Sequence, residues 1–287
     1  MAVTEDKSEV APQPPAAPDA KPLARDQSQA VYERALATLD ATEQIVADEK
    51  RRDDLATPPR LAVSVLMPVY NERETLLEIV ARVRSVGLHR ELIIVDDCST
   101  DGTRDLLVEL EREADIRVIL HGYNRGKGAA LRTAIEHARG DIVIIQDADL
   151  EYDPQDYAHL LEPIQRRVAD VVYGSRFLEN AEQDPSWWHR FGNRALTVAS
   201  NLTTGLRLTD METCYKAFRR DALRGMVLRE ERFGFEPEIT AKLARRRCRF
   251  QELPVRYNSR GYEEGKKIGV RDGLRALWCI VRYAWLD

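Results

Sequence analysis

The chain has 287 residues, 44% of them apolar, and a formal net charge of −5. That is enough for one large domain with tails or two small ones, and the acidic balance argues against nucleic-acid binding. Its four cysteines, Cys98, Cys214, Cys248 and Cys279, show neither zinc spacing nor a disulfide framework, which points to a reducing compartment and to small buried thiols.

Residues 1–27 are rich in Ala, Pro, Asp and Glu and are expected to be disordered. They contain no apolar h-region of a signal peptide, and no stretch of the chain reaches the ~18 uncharged apolar residues of a membrane span. The expectation is a cytoplasmic protein, soluble or peripheral at the inner face of the membrane. Residues 28–55 carry a helical pattern through Val31, Leu36, Leu39, Ile45 and Val46, and Pro58-Pro59 then breaks the chain. The predicted organisation is a tail with a helical extension over 1–59, a catalytic domain over 60–269 and a C-terminal helix over 270–287.

From Leu61 onward, short apolar runs alternate with amphipathic stretches. Strands are predicted at Leu61–Met67, Glu91–Asp96, Arg117–Leu120, Asp141–Gln146 and Asp170–Tyr173. Helices are predicted near Glu72–Ser85, Asp101–Glu113, Gly126–Arg139 and Pro154–Val168. This alternation implies an α/β fold with a mostly parallel, Rossmann-like sheet covered by helices on both faces. Ligands of such sheets bind beyond the carboxyl ends of the strands, so the loops after the strands are the ones that carry chemistry.

The loop after the fourth strand reads Asp147-Ala148-Asp149-Leu150-Glu151. Two carboxylates two residues apart at a strand end point to one side and offer hard oxygen ligands to Mg²⁺ or Mn²⁺. Asp153-Pro154 has the form of a helix start, with Asp153 as cap. The loop after the second strand holds Asp96-Asp97-Cys98-Ser99-Thr100-Asp101-Gly102. An acidic residue there suits a ribose or a base edge, while Ser99, Thr100 or Asp101 suits the cap of the next helix. The third loop, Asn124-Arg125-Gly126-Lys127-Gly128, is not a Walker A sequence, but its backbone amides and Lys127 suit a donor phosphate or sugar.

Met67-Pro68-Val69-Tyr70-Asn71-Glu72, Asp96-Asp97-x-Ser99-x-Asp101-Gly102-Thr103, Asn124-x-Gly126-Lys127-Gly128 and Asp147-x-Asp149 together resemble family-2 glycosyltransferases of the GT-A fold. Further on, Gly174-Ser175-Arg176-Phe177, the Asp210–Arg219 segment and Glu252-Leu-Pro254-Val resemble the dolichyl-phosphate mannose synthase branch. The resemblance implies an inverting transfer of a hexose from GDP-mannose or UDP-glucose to a polyprenyl phosphate. It implies donor-nucleotide contacts at Pro68, Tyr70, Glu72, Asp97, Lys127, Asp147 and Ala148, and metal ligands at Asp147, Asp149 and Glu151, the last departing from the family's usual Gln. It also implies acceptor-phosphate contacts at Arg176, Arg190 and Arg194, diphosphate contacts at Arg260, Lys266 and Lys267, and catalytic roles for Asp149, Arg176 and Asp210.

A phosphate acceptor is already mostly dianionic at pH 7 and needs no general base. A glycan or small-molecule hydroxyl needs a carboxylate base, for which Glu236 and Glu238 are candidates; each is equally suited to capping a helix near Pro237. A non-catalytic nucleotide-sugar binder is disfavoured by the intact Asp147/Asp149 pair, and a nucleotidyltransferase by Pro68–Glu72 in place of a Gly-rich first loop. In the last segment Val270, Leu274, Leu277, Val281 and Trp285 share a helical stripe. That stripe is expected to dock on the protein's own core, with Arg271, Arg275 and Arg282 on another face. Trp278, Tyr283 and Trp285 suit a membrane surface or a membrane partner.

Overall fold

The computed structural model describes residues 60–178, 187–259 and 270–285, besides the isolated Gln44. Residues 60–287 form one unit. The tail and helix expected over 1–59 lie outside the described residues, as do Arg260, Lys266 and Lys267.

The five predicted strands are present as β1 (Val63–Val69), β2 (Glu91–Asp96), β3 (Ile116–Leu120), β4 (Ile142–Ile145) and β5 (Val171–Ser175). Two more join them: β6 (Lys216–Arg219) and β7 (Phe250–Pro254). The sheet order is β3-β2-β1-β4-β6-β5-β7. All pairings are parallel except those of β6, which runs antiparallel to both β4 and β5. The strand order reverses at β1, which has β2 on one side and β4 on the other. The crevice between the carboxyl ends of β1 and β4 is therefore the ligand site of such a sheet.

The strands read as continuous apolar runs because both faces are covered. Leu66, Ile93, Ile144 and Val172 are fully buried, each contributing about 1.5–3 kcal/mol of transfer free energy. The covering helices are α1 (Leu76–Val86), α2 (Thr103–Leu110), α3 (Lys127–His137), α4 (Tyr157–Gln165), α5 (Trp187–Thr204), α6 (Arg220–Leu223), α7 (Phe235–Arg245) and α8 (Val270–Trp285). Pro154–Asp156 forms a 3₁₀ turn before α4, and Asp153 caps it as predicted by accepting the Gln155 N–H at 3.0 Å.

The face that α8 buries is the reverse of the expected one. Leu274, Leu277, Val281 and Trp285 are exposed, whereas Ala276, Cys279, Ile280 and Tyr283 are buried against the body. The helix is apolar on two sides, so polar anchors and small residues choose between them. Arg275 and the Tyr283 hydroxyl both donate to Glu230. Cys279 fits against Gly234, where a Cβ would come within 2.7 Å of its sulfur.

Asp170 precedes β5, next to the edge strand β7, and accepts three N–H bonds from Arg249, at 2.9–3.0 Å. Those bonds hold its carboxyl down to about 2 from an ordinary 3.8. A depressed carboxyl stabilises the folded state above its unfolded pKa, and the contribution fades as pH falls through the folded value. Acid unfolding monitored by urea midpoint should therefore steepen between pH ~4 and ~2. Asp170→Asn should remove that part of the pH dependence while lowering the midpoint modestly at pH 7, as fits a partly exposed pair.

Candidate active site

The loops after β1 and β2 are bonded to each other. Asn71, at a left-handed φ of 55°, donates its N–H to Ser99 Oγ and accepts from the Thr100 N–H. The Glu72 N–H donates to Thr103 Oγ1, and the Arg73 N–H to Asp101. Asp101 also accepts the Thr103 N–H at the start of α2, but the cap position itself is Gly102, without a side-chain bond, so none of the three expected residues is the cap. Pro68, Tyr70 and Glu72 stand half-buried along this rim.

Asp96 is fully buried and accepts from the Cys98 and Ser99 amides and from Arg104 at 2.6 Å. Asp97 is buried as well. It pairs with His121 at 2.8 Å and accepts the N–H groups of Arg125 and Gly126. The second loop thus organises the third, and Arg104 and His121 are structural partners that no motif marked.

The third loop differs from a phosphate cradle in a specific way. The amides of Arg125 and Gly126 are committed to Asp97, and that of Ala129 to the Glu231 carbonyl. Its glycines are required by packing. A Cβ on Gly126, at φ +98°, would lie 2.4 Å from the Glu231 carbonyl oxygen, and one on Gly128 would lie 2.6 Å from that of Glu230. The close approach of 230–232 leaves the Lys127 side chain pointing at the strand ends, where its Nζ donates to Asp147 at 2.7 Å and stands 3.7 Å from Glu236. Burial opposes the Lys127 charge, but Asp147 and Glu236 together hold its pKa well above the ordinary value.

Asp147, Ala148 and Asp149 follow β4 after the single residue Gln146, at the switch point. Asp149 accepts the Glu151 N–H in a tight turn, with Leu150 in the left-handed region. Glu151 is engaged elsewhere, accepting the Tyr257 hydroxyl at 2.9 Å. Among the described residues no three His, Cys, Asp or Glu side chains converge on one point, so Glu151 is not gathered with the two aspartates. Asp147 and Asp149 do fit a divalent cation that shares its remaining positions with substrate phosphate. They are hard oxygen donors, and the position beside Asp147 already attracts a positive charge, that of Lys127.

Arg176, just after β5, makes a bidentate pair with Asp210 at 2.7 and 2.8 Å. Asp210 is fully buried and also accepts the Arg176 N–H and the Asn193 amide of α5. Burial would raise its pKa, yet Arg176 holds it below the ordinary value. The guanidinium lies over the rings of Phe177 and Tyr257, so Tyr257 stands between Glu151 and Arg176. Arg190 lies three residues before Asn193, on the same side of α5 by helical spacing, whereas Arg194 is exposed.

The two candidate bases separate cleanly. Glu238 is fully buried and committed to the amides of Arg229 and Glu230 and to Lys242. Glu236 faces Lys127 instead.

A mostly parallel sheet with an Asp-x-Asp loop at its switch point defines a glycosyltransferase domain of the GT-A type. The chain belongs to glycosyl transferase family 2, whose model matches residues 64–226. It is 34% identical over 216 residues to the undecaprenyl-phosphate 4-deoxy-4-formamido-L-arabinose transferase of Pseudomonas aeruginosa, covering 73% of this chain and 61% of that protein. It is 32% identical over 200 residues to the glycosyltransferase AglJ of Haloferax volcanii, covering 69% and 64%. The chain thus spans a little under two thirds of the length of the curated relatives it matches. Its fold is similar to that of glucosyl-3-phosphoglycerate synthase from Mycobacterium tuberculosis, solved with Mn²⁺, uridine diphosphate and phosphoglyceric acid. That similarity has a TM-score of 0.62 at 18% identity and covers 79% of this chain and 80% of the other. The same synthase has also been crystallised with Mg²⁺.

Proposed function

We propose that the chain transfers a hexose, with inversion, from a nucleoside diphosphate sugar such as GDP-mannose or UDP-glucose to a polyprenyl phosphate at a membrane surface. The observation that carries this reading is an apolar face beside the arginines of the site. On α5, Phe191, Val198 and Leu202 are exposed; on α8, which packs against α5, so are Leu274, Leu277, Trp278, Val281 and Trp285. Arg275 and Arg282 stack on Trp278 at 4.3 and 4.8 Å. Exposed apolar residues gathered along a helix face mark interaction surfaces, and Trp with Arg suits the lipid interface. No helix of the described residues is long and apolar enough to cross a membrane, so contact would be along the surface. Residues 60–269 are the catalytic unit in this reading and α8 the membrane-facing element. The undecaprenyl phosphate in the relatives' names supports a lipid phosphate acceptor.

In the reaction an acceptor phosphate oxygen attacks the anomeric carbon as the bond to the donor diphosphate breaks. The electron pair leaves on the nucleoside diphosphate, and no proton is transferred because the acceptor is already ionised. Asp147 and Asp149 would hold a divalent cation, which supplies charge neutralisation for the donor diphosphate. Pro68, Tyr70, Glu72 and Asp97 form or brace the nucleotide rim, and Arg260, Lys266 and Lys267 would meet the diphosphate. The bonds of Arg176 to Asp210 use Nε and Nη2, leaving Nη1 for the acceptor phosphate, with Arg190 and Arg194 beside it.

The test is transfer of radiolabelled sugar from GDP-mannose and UDP-glucose to a short polyprenyl phosphate, with Mg²⁺ or Mn²⁺. Organic-extractable label is expected from one donor. If nucleotide sugar binds but the lipid stays unlabelled, the acceptor is a hydroxyl compound and Glu236 is its base.

A further inference from the structure

With a phosphate acceptor, which needs no base, the proposed function leaves two carboxyl groups without a role. Glu236, in the first turn of α7, is 4% exposed, yet its Oε2 is buried and makes no hydrogen bond. Glu212, in the turn before β6, likewise has a buried Oε1 with no partner. A buried polar atom without a partner is costly, and few are kept in folded proteins. Those two are half of the four such side-chain atoms among the described residues, and they belong to neighbouring groups.

Their surroundings narrow what would satisfy them. The nearby Lys216 does not: its Nζ donates to the Thr213 carbonyl and lies 4.7 Å from the Tyr173 ring centroid, and it forms no ion pair with either glutamate. Lys127 reaches Glu236 only through Oε1, at 3.7 Å. A phosphate or other anion would be repelled by two carboxyls. The neutral groups that would satisfy a carboxylate oxygen are hydroxyls, which donate to it, and a protonated carboxyl can also donate to a hydroxyl oxygen. Burial and the neighbouring Glu236 push the Glu212 carboxyl well above its ordinary pKa, which favours that second, donating form.

Position selects the kind of hydroxyl compound. Asp147 binds Lys127, and Lys127 faces Glu236. Of the charged groups acting on Glu212, Glu236 has the largest influence, followed by Lys216, Asp210 and Arg176. The two glutamates therefore lie between the carboxylates that face the donor diphosphate and the arginine that faces the acceptor. The group that occupies that interval during transfer is the sugar itself.

We infer that Glu236 and Glu212 form the subsite for the transferred hexose and set its specificity through hydrogen bonds to ring hydroxyls. The inference rests on the transferase reading above and deepens it. Glu236 accepts from one hydroxyl through Oε2, and Glu212 exchanges a hydrogen bond with another through Oε1. The donor diphosphate and the acceptor phosphate are held by other residues, so loss of either glutamate should spare them.

The experiment compares calorimetric dissociation constants for a bare nucleoside diphosphate and the matching nucleotide hexose, with Mn²⁺ present. It uses the full-length protein and its Glu236→Ala, Glu236→Gln, Glu212→Ala and Glu212→Gln variants. Nucleoside diphosphate binding should stay within about twofold in every folded variant, while the added affinity from the hexose falls about tenfold in the alanine variants, as for one lost hydrogen bond to a charged or buried group. Singly deoxygenated donors complete the test. The deoxy donor that lacks the hydroxyl bound by Glu236 should bind wild type about tenfold worse than the parent sugar, yet bind Glu236→Ala no worse. The isosteric Gln variants give the same comparison if an alanine variant fails to fold. Equal hexose contributions in wild type and variants, with no deoxy donor coupled to either residue, would overturn the subsite alone. A wild-type protein that binds no nucleotide hexose would take the transferase reading down with it.

Discussion

Asp210→Ala is expected to lower stability at pH 7 by about 3–5 kcal/mol, because it strands the Arg176 guanidinium, which is largely buried, without its counter-ion. That is a large share of the 5–15 kcal/mol typical of a whole domain. The loss follows from asymmetry. A buried pair gains little over an apolar replacement, since both charges must be desolvated, but half of a pair is worse than either. Asp210 also accepts the Asn193 amide and the Arg176 N–H, so its removal loosens α5 and the turn after β5 together. The double variant Arg176→Met, Asp210→Leu should recover most of the stability and none of the transfer activity. Urea denaturation of the three proteins separates the outcomes. If the double variant is as unstable as Asp210→Ala, the hydrogen bonds to backbone and Asn193 dominate over the unpaired charge.

The parallel half of the sheet is legible in the sequence because its strands are buried on both faces. Uninterrupted runs such as Ile142–Ile145 admit few other readings once helices flank them. The antiparallel β6 is not legible, since it begins with Lys216 in a segment dense with polar residues. Only the fold reveals that this lysine is 1% exposed and bonded to its own turn. The four motif loops meet at the switch point as their spacing suggested. The roles inside them are less visible. Asp97 and the loop of Gly126 and Gly128 look like ligand contacts in sequence, whereas in the fold Asp97 bonds His121 and the amides of Arg125 and Gly126, and the glycines pack under the 230–232 segment, far away in the chain. The face chosen by α8 was hidden for a similar reason. A helix apolar on both sides is oriented by its polar anchors, and the anchor here, Glu230, lies 45 residues from Arg275. Glu212 lies inside the Asp210–Arg219 segment, yet nothing in that segment marks a role for it, because its unpaired oxygen exists only in three dimensions.

Asp149→Asn separates the chemistry of the Asp-x-Asp loop from its architecture. Within the loop, Asp149 Oδ1 accepts the Glu151 N–H, and an asparagine amide oxygen accepts that bond as well, so the turn and the thermal midpoint should be nearly unchanged. What the substitution removes is one negative charge from the pair that would hold the divalent cation. Stabilisation of a departing diphosphate by such a site amounts to several kcal/mol, so turnover should fall by about 10³-fold, or ~4 kcal/mol of barrier. Asp147→Asn should differ in kind, because Lys127 Nζ lies 2.7 Å from that carboxylate and has Glu236 3.7 Å away. Neutralising Asp147 removes the main partner of a charge that burial already opposes, so this variant should lose stability as well as activity. Circular-dichroism melts beside initial rates distinguish the two. An Asp149→Asn protein that melts normally but keeps most of its turnover would remove Asp149 from the chemistry.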